Sequence, residues 1–422
     1  MKATKTYHLK RSGKRKTAIY RAYKVELKPN NKQKTLFLKG CGVARFVYNW
    51  GLEQRIREYK DNKKTLSAFD QSKILNKIKQ EKYPWMLEVS KWILAESFAN
   101  LDKAYKNFFR RVNAKGKSEF PKFKSRRDGI GSFRLRAITD IEEGRIKLPR
   151  IGWVRLKEKG YIPVDGIYVL SATISEKAGH WFVSVNCRED IKINQAKGEP
   201  IGIDLGIKEL AVVSNGRRFK NPKALRKVQK KLKRIQRELF RRKKGSENRE
   251  KTIKKLTKVH CRISNIRKDA INKVTSELCA RTKPAKKRPR IIVLEDLNVA
   301  GMVKNHHLAQ AISDVGMGMF RWQMEYKAKW AGEEIMLADR FYPSSKTCHH
   351  CGRINKGLTL ADRKWLCECG IVLDRDLNAA INLRNLSIPA KSREFKPVEN
   401  GVVMPSTKQE ASSQGIEVSL VS

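Results

Sequence analysis

Residues 201–214 read Ile-Gly-Ile-Asp-Leu-Gly-Ile-Lys-Glu-Leu-Ala-Val-Val-Ser, two apolar runs joined by a short turn that contains Gly206. Short apolar runs that are rich in β-branched residues and bounded by a turn predict β-strands. Residues 291–294, Ile-Ile-Val-Leu, predict a further buried strand. Together with the helical segments between and after these runs, they predict an α/β domain in the C-terminal half of the chain.

Three acidic residues accompany these elements. Asp204 interrupts the first apolar run, Glu295 ends the strand at 291–294, and Asp376 opens the last helix. Strand-borne acids that meet a helix-borne acid are how RNase H-like folds hold two divalent metal ions. Mg²⁺ prefers oxygen ligands, and two ions about 3.5–4 Å apart can activate a water and stabilise a leaving oxygen. The three acids therefore predict a metal-dependent nuclease site.

Each acid also has an ordinary structural interpretation. Asp374 or Asp376 can cap a helix N-terminus, and Asp204 can be a turn residue. An apolar run that ends in an acid is also typical of a Walker B strand. The sequence contains no Gly-x₄-Gly-Lys-Ser/Thr motif, which disfavours an ATPase. We favour the metal site because the three acids occur together in a strongly basic chain.

The charge of the chain indicates its partner. The 422 residues include 93 Lys and Arg against 42 Asp and Glu, a formal net charge of +51. A compact fold with this charge repels itself, so we expect a polyanion to neutralise it, and long nucleic acid is the natural candidate. The excess is steepest at 217–258, where 20 basic residues accompany three acids. This segment belongs to a predicted basic helical pair at about 222–283. Its candidate nucleic-acid contacts are Lys230, Lys231, Arg234, Arg241 and Arg242.

The composition excludes several classes of protein. The sequence has no run of 18 apolar residues, so we expect no membrane-spanning segment and no membrane partner. The N-terminus is basic but lacks the apolar run of a secretory signal. Eight cysteines are too few for a disulfide scaffold in a chain of this length. We expect a cytoplasmic, nucleoid-associated protein that takes no small-molecule substrate.

Four cysteines lie within 22 residues as two close pairs, Cys348 with Cys351 and Cys367 with Cys369. Two thiolate pairs suit a tetrahedral Zn²⁺ ion, and four protein ligands leave no position for a substrate, so the site is expected to be structural. The Cys-x-Cys spacing of the second pair is tighter than the usual Cys-x₂-Cys. His349 or His350 could therefore replace one ligand, and four unligated thiols are the alternative interpretation.

The N-terminal half mixes strand and helix patterns. A strand-like run at 19–27 precedes helical segments that extend to about residue 112, and short strands follow from 132 to 188. This order predicts a β-rich unit with a helical insertion. A change in composition at 195–200 marks the boundary with the C-terminal half. Residues 391–422 carry as many basic as acidic residues and are expected to be disordered.

Several motifs carry a resemblance to a known family. In the C-terminal half they are Gly202-Ile-Asp-Leu-Gly-Ile-Lys208, Leu294-Glu-Asp-Leu-Asn298, Phe341-Tyr-Pro-Ser-Ser-Lys-Thr-Cys-His-His-Cys-Gly352, Cys367-Glu-Cys-Gly370 and Asp374-Arg-Asp-Leu-Asn-Ala-Ala-Ile-Asn382. In the N-terminal half they are Gly42-Val-Ala-Arg-Phe-Val-Tyr-Asn49, Ala104-Tyr-Lys-Asn-Phe-Phe109 and Phe120-Pro-Lys-Phe-Lys124. As an ordered set they resemble TnpB, the transposon-encoded RNA-guided endonuclease of prokaryotes that is related to compact type V CRISPR effectors.

The resemblance implies roles for individual residues. Asp204, Glu295 and Asp376 match the RuvC acids, with Asp376 rather than Asp374 in the catalytic position because it stands two residues before Asn378. The four cysteines match the zinc ligands of a small domain inserted into RuvC. In the family, the helix that ends in Ala-Tyr-Lys-Asn-Phe-Phe helps to read a motif beside the target. Lys91 and Trp92, near its start, are therefore candidate contacts.

The resemblance also implies a multidomain α+β architecture: a wedge-type β-barrel with a helical recognition insertion, then an RNase H-like RuvC domain with an inserted zinc-binding domain. The expected boundaries are 1–35 and 116–198 for the wedge, 36–115 for the insertion, 199–341 and 373–390 for RuvC, and 342–372 for the zinc domain.

The function implied is RNA-guided cleavage of double-stranded DNA with two Mg²⁺ ions, by one monomer for each guide RNA. Base pairing of the guide selects the target, so the protein needs charge rather than a base-reading code. Three rivals stay open: a nuclease-inactive RNA-guided repressor, a compact type V CRISPR effector, and a transposase that joins DNA ends itself.

Overall fold

The computed structural model describes residues 17–388 except 115, 117, 137, 139 and 360. The basic N-terminal lead-in and the tail at 391–422, expected to be disordered, lie outside the described residues. Fourteen β-strands and nine α-helices make up the described part, which has the mixed α/β content that the sequence predicts. Within it, no helix is both long enough and apolar enough to cross a membrane.

The N-terminal half is built on one antiparallel sheet of seven strands. Their order is β2-β6-β7-β1-β5-β4-β3, so the first strand lies in the middle. The strands are β1 (Thr17–Lys28), β2 (Ser132–Leu135), β3 (Ile141–Glu142), β4 (Arg145–Leu148), β5 (Gly152–Leu156), β6 (Ile167–Lys177) and β7 (His180–Ile191). β1 pairs with β7 along almost its whole length, from Thr17 opposite Ile191 to Leu27 opposite Trp181, which joins residues 154 to 174 positions apart in sequence.

Three helices connect β1 to β2: α1 (Asn31–Asn62), α2 (Ala68–Lys82) and α3 (Lys91–Asn113). The capping box of α1 fixes where it starts. The Asn30 side chain accepts from the Gln33 amide at 2.8 Å, while the Gln33 side chain accepts from the Asn30 amide at 3.1 Å. The chain therefore turns from strand to helix within two residues.

The sheet is open, and the predicted closed barrel is not confirmed. β2 and β3 form its two edges and do not pair with each other among the described residues. Instead α1 covers the sheet: the ring of Phe37 lies 6.2 Å from that of Phe133 on β2 and 5.0 Å from that of Trp181 on β7, between ring centroids. The helical layer buries the apolar face that closure of the barrel would otherwise have buried.

The C-terminal half contains a five-stranded mixed sheet in the order β10-β9-β8-β11-β12. The strands β8, β11 and β12 run parallel to one another, and β12 forms an edge of the sheet. The strands β9 and β10 are antiparallel to their neighbours. The strands are β8 (Ile201–Asp204), β9 (Glu209–Val213), β10 (Arg218–Lys220), β11 (Ile291–Glu295) and β12 (Glu334–Ala338).

Long helices separate the strands of this sheet. α4 (Ala224–Arg241) and α5 (Glu247–Leu278) form the predicted basic pair, with a turn between them. Their apolar stripes pack together through Leu232 and Ile235 on α4 and Val259 and Ile263 on α5. The remaining connections are α6 (Val299–Met302), α7 (His306–Val315) and α8 (Met317–Ala331). α8 buries Phe320, Met324 and Ala328 in the core of the sheet.

After β12 the chain forms a small module at residues 342–374 that contains the four clustered cysteines, called here the cysteine-containing module. The chain then returns to the sheet. The module contains a short hairpin of β13 (Lys364–Leu366) and β14 (Val372–Asp374). The last described helix, α9 (Arg375–Leu386), packs against β8 and β11. This return brings the end of the chain back beside the stretch at 201–204.

Glu333 is a buried acid that should make the stability of the fold pH-dependent. Burial raises its pKa to about 7 from an ordinary value of 4.5, and Cys279, Arg288 and Lys283 offset this only in part. Between these two values the folded chain keeps a proton that the unfolded chain has released, so stability falls as the pH rises through this window.

We predict that Glu333→Gln leaves the free energy of unfolding nearly unchanged below about pH 4.5. The variant should gain roughly 2–3 kcal/mol over wild type at pH 8, because Gln removes the cost of a buried carboxylate. Urea unfolding at several pH values measures this. The neighbouring Glu334 is exposed, and Glu334→Gln serves as the control that should show no such gain. Equal stability of Glu333→Gln and wild type at pH 8 would contradict the account.

Candidate active site and metal centre

Asp204 and Glu295 leave the sheet side by side. β8 and β11 are parallel neighbours whose register places Ile203 opposite Leu294. The next residue of each strand is the predicted acid, and parallel neighbours are about 4.8 Å apart. The two side chains therefore meet at the carboxyl edge of the sheet, where open α/β sheets commonly bind ligands.

Gly202 allows α9 to approach β8 closely. A Cβ atom at this position would lie 2.1 Å from the Ala380 carbonyl oxygen and 2.4 Å from the Arg384 backbone nitrogen. No side chain fits there, because both neighbours are backbone atoms of the helix. The sheet and α9 thus touch backbone to backbone beside Asp204.

Asp374 and Asp376 have different roles at the start of α9. Asp374 is the N-cap, since its side chain accepts from the Leu377 amide at 3.0 Å, and Arg218 holds it from β10 at 2.8 Å. Asp376 stands in the first turn and is not needed for capping. The capping interpretation therefore applies to Asp374.

The three predicted acids act on one another electrostatically. The pKa of Asp204 is raised well above its usual range, first by burial, then by Glu295 and then by Asp376. Arg375 and Arg363 oppose this shift only in part. Glu295 and Asp376 thus lie near enough to Asp204 for their charges to act on it, and the two arginines offset part of that negative charge. A set of carboxylates with this excess charge is chemically suited to a divalent cation with oxygen ligands.

We call Asp204, Glu295 and Asp376 the acid cluster. Asp296, the neighbour of Glu295, does not belong to it. Arg321 and Arg340 each hold it at 2.6 Å, and these hydrogen bonds, that of Arg321 first, lower the pKa of Asp296. Its charge is therefore neutralised by α8 and by the segment that follows β12. The structure therefore distinguishes Glu295 from Asp296, whereas the sequence alone shows only two adjacent acids of equal charge.

Two further residues contact the acids, and sequence reasoning missed both. The Ser344 hydroxyl donates to Glu295 Oε1 at 2.5 Å and so fixes the orientation of this carboxylate. Arg363, from the cysteine-containing module, lies 3.6 Å from Asp376. Neither has a local signal that could have identified it: Ser344 reaches Glu295 from beyond α8 and β12, and Arg363 reaches Asp376 across the β13–β14 hairpin.

The four predicted cysteines form one cluster. Their Sγ atoms all lie within 4.8 Å of one another, with Cys348 at 3.8 Å from Cys369 and Cys351 at 3.5 Å from Cys367. Sulfur atoms around a tetrahedral Zn²⁺ with bonds of about 2.3 Å lie about 3.8 Å apart. The backbone amide of Arg353 lowers the pKa of Cys351 to about 7, which favours the thiolate. The cluster is therefore compatible with zinc despite its Cys-x-Cys pair.

Two buried asparagines join the cysteine-containing module to α9. Asn378 and Asn382 donate to the Thr347 carbonyl at 2.7 and 2.6 Å, one turn apart on the helix. The Asn378 side-chain oxygen also lies 2.9 Å from His349 Nδ1. His349 thus contacts α9 rather than replacing a cysteine. Two asparagines spaced i and i+4 on the buried face of α9, beside Ala379 and Leu383, were the sequence signal for this link.

The candidate nucleic-acid contacts fall into two groups. Lys230, Lys231, Arg234, Arg241 and Arg242 are all exposed on α4 or at its end. Four of them, all but Lys231, line an open basic pocket together with Lys233 and Arg237. The volume of this pocket is about 770 Å³. Lys91 and Trp92 lie in the first turn of α3, far along the chain from this pocket. Lys91 is exposed, whereas Trp92 packs partly against the N-terminal core.

The fold defines the structural class of the chain. It is similar to the protein in a cryo-EM structure of the Cas12f1–sgRNA–target DNA complex, with a TM-score of 0.51, 18% identity, and coverage of 84% of this chain and 82% of that one. Residues 318–383 match a family model described as "Cas12f1-like, TNB domain". The class is thus that of the compact Cas12f1-like fold.

Closer relatives identify the family. A Streptomyces pristinaespiralis protein named "Putative RNA-guided DNA endonuclease" is 34% identical over 89% of this chain and 91% of its own length. The Escherichia coli protein "Putative RNA-guided DNA endonuclease InsQ" is 30% identical over 86% and 91%, respectively. Residues 173–306 match a model described as "Probable transposase". The chain belongs to the TnpB family, and the resemblance found in its motifs is confirmed.

One family model disagrees with the fold. Residues 19–64 match a model described as "Helix-turn-helix domain". In the structure this segment contains strand β1 and the single 32-residue helix α1. The backbone pairing of β1 with β7 excludes a helix there, so the segment is not a helix-turn-helix in this chain.

We predict that Gly202→Ala destabilises the fold by at least about 2 kcal/mol, because the new methyl group would overlap backbone atoms of α9. Urea unfolding measures the loss. Gly42, in α1, has open space around it. Gly42→Ala is therefore the control and should be neutral or stabilising. Equal stability of the two variants would show that α9 does not depend on this contact.

We also predict that the purified chain carries about one zinc ion and that Cys351→Ser loses it. Cys261→Ser is the control, because Cys261 lies outside the cluster. Elemental analysis measures the zinc content. Limited proteolysis should then cut the metal-free variant between 345 and 374, since a small module without its metal has little core of its own. Full zinc content in Cys351→Ser would contradict the assignment.

Proposed function

We propose that this chain is an RNA-guided DNA endonuclease that cleaves double-stranded DNA at one site formed by Asp204, Glu295 and Asp376. The observation that carries the proposal is the register of β8 and β11, which puts Asp204 and Glu295 side by side at the carboxyl edge of the sheet, where α9, whose first turn bears Asp376, packs against β8. The relatives named as RNA-guided DNA endonucleases support the guide RNA and the DNA target as partners. We also propose that one protein chain acts with each guide RNA.

The acid cluster would hold two Mg²⁺ ions, with Asp204, Glu295 and Asp376 as the ligands. When bound, such ions supply a nucleophilic water and stabilise the leaving oxygen of the phosphodiester. The chain's own residues prepare the site: Ser344 orients Glu295, and α9 presents Asp376. Arg375 and Arg363 supply positive charge beside the acids, suited to a DNA phosphate.

The remaining parts of the chain serve nucleic-acid binding in this proposal. The seven-stranded sheet is the wedge, α1–α3 are the recognition insertion, the five-stranded sheet with its helices is the RuvC domain, and the cysteine-containing module is a structural zinc domain. The basic surface of α4 would follow a phosphate backbone. Lys91 and Trp92 would contact the motif beside the target.

A plasmid-library assay tests the proposal. The protein is co-expressed with the DNA that flanks its gene, and a guide-matched target is offered beside a randomised sequence. We predict cleavage next to one enriched motif by wild type. Asp204→Ala should abolish cleavage, by at least about a thousandfold, because it removes a ligand of the catalytic metals. Asp269→Ala, an exposed acid on α5, is the control that should cut normally.

Two other outcomes favour the rivals. If wild type binds guide RNA and matched DNA but never cuts, the chain is an RNA-guided repressor and its acids are vestigial. If it cuts or joins DNA without any guide, it is a transposase. A CRISPR array beside the gene would instead identify a type V effector.

A further inference from the structure

Phe341 is a large apolar side chain held in solvent beside the acid cluster. It follows β12 at the carboxyl edge of the sheet and is 87% exposed. Its neighbour Tyr342 points the opposite way and packs against the buried side chains of Val293 and Leu383. The Tyr342 ring thus packs against the core, whereas the Phe341 ring lies on the surface.

The loop that carries Phe341 is fixed at both ends to the end of β11. Arg340 contacts the Asp296 side chain at 2.6 Å and its carbonyl at 3.2 Å. On the other side, Ser344 donates to Glu295. Between these anchors the Phe341 amide donates to Asp339 Oδ1 at 2.8 Å, which closes a turn. Phe341 is therefore presented at a defined position relative to Glu295.

The ring lines the same cleft as an acid of the cluster. This cleft, of about 610 Å³, is bounded by Glu295 and Phe341 and by the basic residues Lys346 and Arg375, while Arg340, also in its lining, is paired with Asp296. A basic groove that contains an exposed aromatic ring is typical of sites for single-stranded nucleic acid. The cations there contact phosphates, and the ring stacks on a base. A base in a duplex is already stacked on both faces, so the occupant must be unpaired.

We propose that Phe341 stacks on a nucleobase of the single DNA strand that enters the cleft for cleavage. Phe341 thereby acts as a positioning residue that sets which phosphate lies at Asp204, Glu295 and Asp376. This inference rests on the proposed endonuclease function. It adds a base-binding subsite to that function and predicts that the cut position depends on an aromatic ring at residue 341.

Three substitutions of Phe341 distinguish the effect of base stacking from the effect of side-chain size. Phe341→Leu keeps an apolar side chain without a ring, whereas Phe341→Tyr and Phe341→Trp keep the ring. Because the side chain is exposed, all three should fold as wild type does, which urea unfolding checks. The assay is single-turnover cleavage of matched DNA by the protein–guide RNA complex, with the cut ends mapped at nucleotide resolution. Abasic sites are scanned through the target strand near the cut.

We expect Phe341→Leu to slow cleavage about tenfold and to spread the cuts over neighbouring phosphates, with DNA binding unchanged. Phe341→Tyr and Phe341→Trp should cut at the wild-type position. One abasic position should slow wild type by a similar factor and have no further effect in Phe341→Leu, because both changes remove the same contact. Additive effects at every position, or wild-type cutting by Phe341→Leu, would overturn the proposal.

A second readout does not depend on cleavage. 5-Iododeoxyuridine is placed at each position near the cut in the DNA bound by Asp204→Asn and guide RNA, and irradiation followed by mass spectrometry maps any crosslink. A crosslink to Phe341 supports stacking, and its absence at all positions contradicts it. If matched DNA is bound but never cut, the endonuclease function fails while this crosslink still decides whether Phe341 binds a base.

Discussion

The contact between α9 and β8 at Gly202 is the constraint on which the rest of the C-terminal half depends. Asp204 and Asp376 are far apart in sequence and belong to different kinds of element. Only an approach of backbone to backbone brings them to one edge of the sheet, and only glycine leaves room for it. The same helix binds the cysteine-containing module through Asn378 and Asn382, so one helix holds two sites.

The acid cluster opposes the general charge of the chain. Burial first, and then the charges of Glu295 and Asp376, raise the pKa of Asp204, while the chain as a whole carries a net charge of +51. Apolar packing of β8, β11 and α9 keeps the acids together against this repulsion. Such a local negative site within a positive surface suits a protein that attracts a polyanion and binds metal ions at one point on it.

The features predicted from the sequence are those in which the residue type itself indicates the chemistry. The three acids, the four cysteines and the basic helical pair each stand out against their local pattern. The structure clusters the cysteines and packs α4 on α5, while the metal site of the three acids stays a prediction. The closed barrel was not confirmed, because no local pattern shows whether an apolar sheet face is buried by closure or by helices. Ser344 and Arg363 were missed because common polar residues gain their roles only from long-range contacts.

Asp204, Glu295 and Asp376 are proposed to form one divalent-metal site. Diffraction from crystals soaked in Mn²⁺, with anomalous maps recorded above and below the manganese edge, tests it most directly. We expect manganese peaks in contact with all three carboxylates and no manganese at the cysteine cluster. Manganese bound elsewhere, or acids that remain apart when the ion is present, would contradict it.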